Sequence, residues 1–403
     1  MNENIKKDVT ISIPNYALSV MKALEAAGEE VYIVGGCVRD ALLGKKPHDY
    51  DMTVSCEPQR TMDTLSDFRT IATGIAHGTV TAISEGRPIE ITTFRVDGSY
   101  TDMRRPDSVS FTRNISDDLS RRDFTVNAMA YSPKSGLIDL FGGADDLKKG
   151  LLRAVGEPEK RFGEDALRIM RAFRFSAQLG FEIEESTLAA AEKCKAGLAK
   201  IAKERISSEF VRLICSPYPE KPLLQMIELG ILDYVTPGYA PSKKILSLLS
   251  QMPCDDLSRL GFFLAESDRE GVCAIASHLK LSNKQKSGAA AISENAKTVI
   301  QRSRDATLLR SRIGEYAQLA ARASALLGYS NEKAITLVEG DRSPCRISDL
   351  EINGKELSML GFSGKEIGEL LEYLLDKVIE EPKINTKEQL TELAKNKKRN
   401  KNA

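Results

Sequence analysis

With 403 residues the chain is long enough for roughly two to four domains and a substantial core, so it needs no disulfide staple. Lys plus Arg and Asp plus Glu both number 57, a formal net charge of zero, which excludes a globally basic nucleic-acid coat and leaves any polyanion to a local basic face. Seven cysteines, at Cys37, Cys56, Cys194, Cys215, Cys254, Cys273 and Cys345, never stand in a CxxC spacing, so a reducing cytoplasm is expected rather than a zinc site or disulfide framework.

The opening MNENIKKDVTISIP has no apolar signal core, and no run approaches the roughly 20 apolar residues of a membrane span. A soluble protein with no membrane partner is expected. Residues 15–28 (NYALSVMKALEAAG) carry helical apolar spacing and end on a glycine; the β-rich VYIVGG follows, and Cys37 to Leu43 read as a short helix stopped by Gly44. DYDMTVS, GTVTAIS, RPIEITTFR and SVSFTR then read as short strands, which makes the first third a mixed α/β domain. After Gly150 amphipathic helical stretches fill the chain, broken by CSPYPEKP (215–222), VTPGYAPS (235–242) and GDRSP (340–344). The fold class is therefore α+β, a mixed sheet with helices followed by an all-helical half. The basic tail KNKKRNKNA is too polar to pack and reads as a solvated terminus, or as a weak phosphate contact.

In a strand, residues i and i+2 share a face, so DYDMTV sets Asp49 beside Asp51 while Tyr50 and Met52 face the core. Two carboxylates on one face repel and become stable together when divalent cations sit between them; hard oxygen ligands favour magnesium, which also bonds substrate phosphates. An isolated DxD is more often an exposed strand end with two solvated acids. In RPIEITTF, Ile89 and Ile91 alternate with Glu90 and Thr92, so Glu90 joins the metal face, or serves as base for a hydroxyl, if the two strands are neighbours.

Gly35 and Gly36 turn the buried strand into the short helix, whose first amides together with Arg39 suit an anion such as a triphosphate. A turn that needs glycine for geometry alone is the alternative. Neither a Walker A loop nor GxGxxG is present. In EDALRIMRAFRF the apolar Ala166, Ile169, Met170 and Phe173 share one helical face, Arg168, Arg171 and Arg174 project elsewhere, and Asp165 stands three residues from Arg168 as a helical neighbour.

GGCVRDALLG followed by HDYDMT resembles the first motif of the class II tRNA nucleotidyltransferases and bacterial poly(A) polymerases, within the DNA polymerase β superfamily. RRDFTVNAMA (121–130), DLFGGADDL (139–147), EDALRIMRAFRF (164–175) and KERISSEFVRLI (203–214) resemble the later motifs of that family, in order. The resemblance implies a polymerase-β-like catalytic head over residues 1–148, a neck for base recognition over 149–216, and a body (217–330) and tail (331–403) that bind tRNA. It implies that Asp49 and Asp51 are catalytic and hold Mg²⁺. Gly36, Arg39, Arg122, Arg171 and Arg174 would bind the nucleotide, with Asp123 and Asn127 on ribose or triphosphate, and Asp165 with Arg168 would read the base. The residue types explain how: cytosine and adenine show an amino donor beside a ring-nitrogen acceptor, which suits Asp165, able only to accept, and Arg168, able only to donate. Uracil and guanine present the reverse and leave unpaired groups.

Complete CCA addition, CC-only addition, A-only addition and poly(A) synthesis share these motifs. The stretch TTFRVDGSYTDMRRPDSVSFTRNISDDLS (92–120) resembles the flexible loop of CCA- and A-adding enzymes, against CC-only activity. GRPIEITTFR lacks the Gly-Arg-Arg-Phe-type signature of the poly(A) polymerases. Of the histidines His48, His77 and His278, only HDY at 48–50 resembles an HD metal motif, so a fused phosphohydrolase is not expected. The expected reaction is attack by the terminal 3′-hydroxyl of tRNA on the α-phosphate of CTP or ATP. The helical half would hold the acceptor arm, with PSKK (241–244), KLSNKQK (280–286) and the tail as local charge. A-only addition, poly(A) synthesis and a tRNA-binding protein with an inactive head remain as alternatives.

Overall fold

The computed structural model describes residues 5–6, 9–98 and 108–401, in two compact units, Met1–Pro237 and Gly238–Ala403. Residues 99–107 of the expected flexible loop and the last two residues of the tail lie outside the described residues.

In the first unit the strands are β1 (Ile5–Lys6), β2 (Val31–Val34), β3 (Met52–Val54), β4 (Arg69–Gly74), β5 (Thr79–Ser84), β6 (Arg87–Thr93), β7 (Arg95–Asp97), β8 (Val109–Phe111), β9 (Met129–Ser132) and β10 (Gly136–Asp139). Eight of them form one sheet in the order β1-β10-β9-β2-β3-β6-β5-β4, while β7 and β8 pair apart as a hairpin flanking residues 99–107. The sheet is mixed, as expected: β3 and β6 run parallel and the other pairs are antiparallel. Strands β2 and β3 are buried throughout; helix α1 (Asn15–Ala26), whose Val20, Met21 and Leu24 are buried, packs on β2 and β5, and VYIV in β2 therefore reads as an apolar run rather than as alternation. Edge strand β4 is largely exposed and carries no such signal, which is why the sequence did not announce it.

Two strand expectations need correction. The segment DYDMTVS begins its strand only at Met52, so Asp49 and Asp51 stand on the approach to β3. The alternation still holds, with Tyr50 and Met52 buried and both acids facing outward, because the backbone N–H of Val34 donates to the carbonyl of Asp51 at 3.0 Å and extends the ladder by one residue. The region after Gly150 is not purely helical either, since β11 (Leu151–Leu152) and β12 (Glu182–Ile183) pair in parallel.

The first unit continues through α2 (Gly36–Leu42), α3 (Pro58–Thr64), α4 (Ile115–Ser120) and α5 (Gly143–Lys149), then α6 (Pro158–Glu164), α7 (Leu167–Leu179), α8 (Glu185–Cys194), α9 (Lys203–Ile214) and α10 (Glu220–Glu228). Ala166, Ile169, Met170 and Phe173 are fully buried, so the expected apolar face of α7 is the packed one. Gly180, at φ +73°, ends that helix in the left-handed region.

The second unit is helical throughout its described residues. One of its cores gathers Ile300, Leu309, Ala320 and Val338; another gathers Leu350, Leu357, Leu374, Leu390 and Ala394. The described part of the tail is solvated as expected, with Lys395, Asn396, Lys397 and Arg399 exposed, but it is ordered as the end of a helix, Lys387–Lys401, that Leu390 and Ala394 anchor. Lys397 lies 3.5 Å over the Tyr373 ring and Lys398 4.9 Å over Phe362, so the aliphatic stems and charges of a polar-looking segment find aromatic partners. Among the described residues no helix is long and apolar enough to cross a membrane.

Helix α5 braces the 3₁₀ turn Thr125–Asn127 that carries Asn127. A Cβ at Gly143 would sit 2.2 Å from the Thr125 carbonyl oxygen, and the Gly143 amide already donates to Asp139 at 2.7 Å. Gly143→Ala is therefore expected to destabilise the first unit by ~2–4 kcal/mol, as an overpacked backbone contact should. Chemical denaturation of wild type and variant measures it; an unchanged midpoint would show that the turn yields freely.

Candidate active site

At the C-terminal end of β2 the chain reverses through Gly35, at φ +73°, into α2. A side chain at Gly35 would be strained in that conformation, and its Cβ would meet Arg122 Nη1 at 3.2 Å. The Gly35 amide donates to Met129 O at 3.3 Å, which ties the turn to β9 and leaves the amides that follow it as the open ones. Cys37, one residue into the helix from Gly36, is no nucleophile: burial, reinforced by the charge of Asp51, pushes its thiol up to about 12, and it donates to Val34 O at 3.2 Å.

The register of β3 on β6 pairs Met52 with Ile91, so one step back along both strands brings Asp51 beside Glu90. This is the neighbourhood the alternation of RPIEITTF required, and Ile89 and Ile91 are indeed buried while Glu90 faces out. Asp51 is exposed to solvent although the surrounding chain crowds its carboxyl. Enclosure by the surrounding protein, then the charge of Glu90 and that of Asp49, push its carboxyl above the usual carboxylate range against the pull of Arg122. Asp49 is 78% exposed and its Oδ1 lies 3.0 Å from His48 Nδ1. Among the described residues no three His, Cys, Asp or Glu side chains converge as a preformed metal cage.

Opposite these acids runs a chain of charged hydrogen bonds. Arg39 donates from Nε to Asp40 at 2.8 Å and from Nη1 to Asn127 Oδ1 at 2.7 Å. Asn127 passes its own N–H to Asp123 Oδ1 at 3.2 Å, and Arg171 grips Asp123 Oδ2 through Nε at 2.8 Å and Nη2 at 2.6 Å. Arg171 also lies 3.8 Å from Glu209, whose other oxygen accepts from Arg174 Nε at 2.5 Å. Burial alone would raise the Asp123 carboxyl, but Arg171 and Asn127 outweigh it and bring it down to about 2. For Arg171 the same balance runs the other way: burial would lower its affinity for the proton, and Asp123 and Glu209 raise it.

Phe175 is the apolar floor of this array. Its ring meets the guanidinium carbons of Arg174 at 3.8 Å and of Arg39 and Arg171 at 5.2 Å, and Phe124 packs edge-on against it. Arg122 completes the group: Nη2 pairs with the buried Asp118 at 3.1 Å, while Nε is buried and finds no partner among the described residues. Gly36, Arg39, Arg122, Arg171 and Arg174 are thus brought together. Phe175, Glu209 and Asp118 were missed: Glu209 reaches Arg174 from another helix, and although Asp118 and Phe175 have arginine neighbours within four residues, helical spacing does not mark either as part of a site until the fold gathers them. Asp123, expected on ribose or triphosphate, has its lone pairs engaged by Phe124 N, Asn127 and Arg171, leaving none for a ribose hydroxyl.

Asp165 and Arg168 require a correction. The helix breaks between α6 and α7, and Asp165 is extended there at φ −138° and ψ 103°. Its Oδ1 accepts the Leu167 amide at 3.0 Å in the manner of a helix cap, and its Oδ2 accepts from Arg205 at 3.0 Å. Arg168 bonds to Glu164 at 2.9 Å, to Arg161 O and to Arg121 O. The two side chains do not pair with each other; a short polar side chain before a helix caps it in preference to reaching along it. Each nevertheless keeps spare capacity, as a carboxylate offers about four lone-pair sites and a guanidinium five N–H donors.

Comparison with known proteins agrees with this architecture. A family model for the poly A polymerase head domain matches residues 31–153, and one for the probable RNA and SrmB-binding site of polymerase A matches residues 180–243. The CCA-adding enzyme of Ligilactobacillus salivarius is 37% identical over 397 residues, 94% of this chain and 95% of that protein. That of Streptococcus gordonii is 46% identical over 239 residues, 59% of each; with this and the similar relatives of higher identity, the match spans about three fifths of their length. The crystal structure of Bacillus stearothermophilus CCA-adding enzyme in complex with CTP superposes with a TM-score of 0.76 at 30% identity, covering 96% of this chain and 98% of that one.

The Asp123 ion pair makes acid stability measurable. A carboxyl held near 2 when folded and near 3.8 when unfolded contributes stability that is fully present above about pH 4 and is lost as pH falls toward 2. Asp123→Asn, which strands a buried Arg171, is expected to cost ~3–5 kcal/mol at pH 7, and the gap to wild type should narrow by ~2 kcal/mol between pH 4 and pH 2. Denaturant unfolding across that range tests it, and a gap independent of pH would refute the assignment.

Proposed function

The chain belongs to the CCA-adding, class II tRNA nucleotidyltransferase and poly(A) polymerase family, and from that premise we propose that it adds CCA to the 3′ end of tRNA, consuming CTP and ATP and releasing pyrophosphate. The observation that supports this best is the juxtaposition of an acid cluster, Asp51 with Glu90 and Asp49, with Arg122, the guanidinium that draws Asp51 back toward ionisation. Phosphoryl chemistry needs both signs in one place: acids for cations and arginines for the triphosphate.

Asp49 and Asp51 fit Mg²⁺, since both offer hard oxygens and the crowding that raises Asp51 is the kind a divalent cation relieves; bound there, it would neutralise charge on the attacking and leaving oxygens. Arg39 and Arg122 flank the glycine turn and supply donors to the triphosphate, Arg122 from the Nη1 end that lies beside Gly35. Glu90 stands where it can take a proton from an incoming ribose hydroxyl. Arg171 and Arg174, held over Phe175, bound the nucleotide on the neck side. Asp165 and Arg168 read the base with the donor and acceptor capacity left after their own structural bonds. In this division residues 1–148 catalyse, 149–216 recognise the base, and 217–330 and 331–403 hold tRNA.

The test is an extension assay with Mg²⁺ on tRNA lacking its end, tRNA ending in C or CC, and oligo(A), each with one or all four triphosphates. Addition of C, C and A followed by a stop is expected, with GTP and UTP refused. Extension of tRNA-CC alone would replace the proposal by A-only addition, and open-ended A addition to oligo(A) by poly(A) synthesis. Asp51→Ala is expected to lose activity on the order of 1,000-fold or more.

Asp51 also yields a stability prediction. Its carboxyl is raised on folding, so at neutral pH its ionised form opposes folding, and the penalty fades as pH falls through the folded value. Asp51→Asn should raise the melting temperature of the unliganded protein by roughly 1–3 °C while abolishing the further rise that Mg²⁺ gives the wild type. A lower melting temperature in the variant would contradict the crowded-charge account.

A further inference from the structure

Arg205, in the first turn of α9, is tied to none of the phosphate-facing groups, yet its Nη2 donates to Asp165 Oδ2 at 3.0 Å. Asp165 is mostly enclosed, with its side chain 15% exposed. Its other oxygen is taken by the Leu167 amide. Two bonds from two different elements therefore fix the plane of this carboxylate, whose terminal torsion is otherwise broad. The guanidinium holds that position although its Nη1 is buried and finds no partner among the described residues. An unmet buried donor is a standing penalty that packing for stability alone would remove.

We propose that Arg205 is a specificity-determining positioning residue, which aims the acceptor edge of Asp165 at the amino group of the incoming base. The proposal rests on the reading of Asp165 as the base-facing acceptor. Amino and carbonyl edges differ only in which group donates, so the distinction is lost when the acceptor is free to turn. With Arg205 removed, Asp165 keeps one local bond to Leu167 and rotates about it. Base choice then loosens, while the phosphate grip through Arg39, Arg122 and Arg171 stays in place.

The experiment compares wild type with Arg205→Met, which preserves length and removes every donor, and Arg205→Lys, which restores a charge without the planar fork. Single-nucleotide kcat/KM is measured for CTP, UTP, ATP and GTP on tRNA lacking its end, alongside the unfolding midpoint. In Arg205→Met the value for CTP should fall about tenfold, the loss of one charge-assisted hydrogen bond, while UTP changes little, so the CTP to UTP ratio drops by nearly as much. Arg205→Lys should recover part of the ratio. Equal losses for all four triphosphates, or a ratio at the wild-type level, would overturn the positioning role. If Arg205→Met does not fold, Arg205→Gln carries the same comparison with the same two outcomes. A wild type that does not prefer CTP over UTP would instead overturn the reading of Asp165 itself, and the two failures are told apart by which protein shows them.

Discussion

The ion pair between Asp123 and Arg171 joins the head's RRD segment to helix α7, and the other polar contacts of the site are arranged around it. A buried pair of this kind recovers its desolvation cost only if every remaining lone pair and N–H is met. Asp123 meets that condition, with Phe124 N, Asn127 and Arg171 on its oxygens, while Arg171, a third exposed, gains a second carboxylate in Glu209 at 3.8 Å from α9. Because Asn127 also accepts from Arg39, the orientation of the arginine beside the glycine turn is set by a carboxylate it never touches. Charge-assisted networks of this sort polarise one another, so their parts are stronger together than apart.

The acid cluster is built on the opposite principle. Asp51, Glu90 and Asp49 repel, and the fold concentrates them at one end of β3 and β6 without enough cations to neutralise them. Stability is given up there and recovered in the hydrogen-bonded network around Asp123, in the segment that leads into β9. A chain with zero net charge thus holds a local excess of each sign, which overall composition conceals. Arg122 is where the two regions meet, pairing with Asp118 while its field reaches Asp51.

Much of the frame was legible in the sequence because it depends on local periodicity. The alternation of Ile89 and Ile91 with Glu90, the apolar stripe Ala166, Ile169, Met170 and Phe173, and the Gly35 turn are each fixed by spacing of fewer than ten residues, and each is found in the fold. What spacing could not supply was the choice of polar partners. Asp165 and Arg168 look like an i,i+3 pair, yet Asp165 takes the Leu167 amide and Arg205, forty positions on, while Arg168 takes Glu164. A helical neighbour pair is worth only a few tenths of a kcal/mol, less than a cap or a partly buried ion pair, so tertiary packing decided the contest. The helical form of the solvated tail was not legible for a related reason: Leu390 and Ala394 precede its polar end by a few residues and hold the helix to which those lysines belong.

Helix α7 carries both kinds of group that the proposed reaction requires. Arg171 and Arg174 belong to the network that reaches the head, and Asp165 with Arg168 stands at the helix start. A rigid displacement of α7 would therefore move the proposed phosphate and base contacts together and break the Asp123 pair in doing so. Discrimination between bases must then arise from side chains whose orientation is fixed independently of the helix as a whole. Asp165 meets that condition, because one of its two oxygens is held by α7 and the other by α9. A carboxylate gripped from two elements can stay aimed while the arginines beside it answer to a different partner, which in the proposed reaction would separate the choice of base from the grip on phosphate.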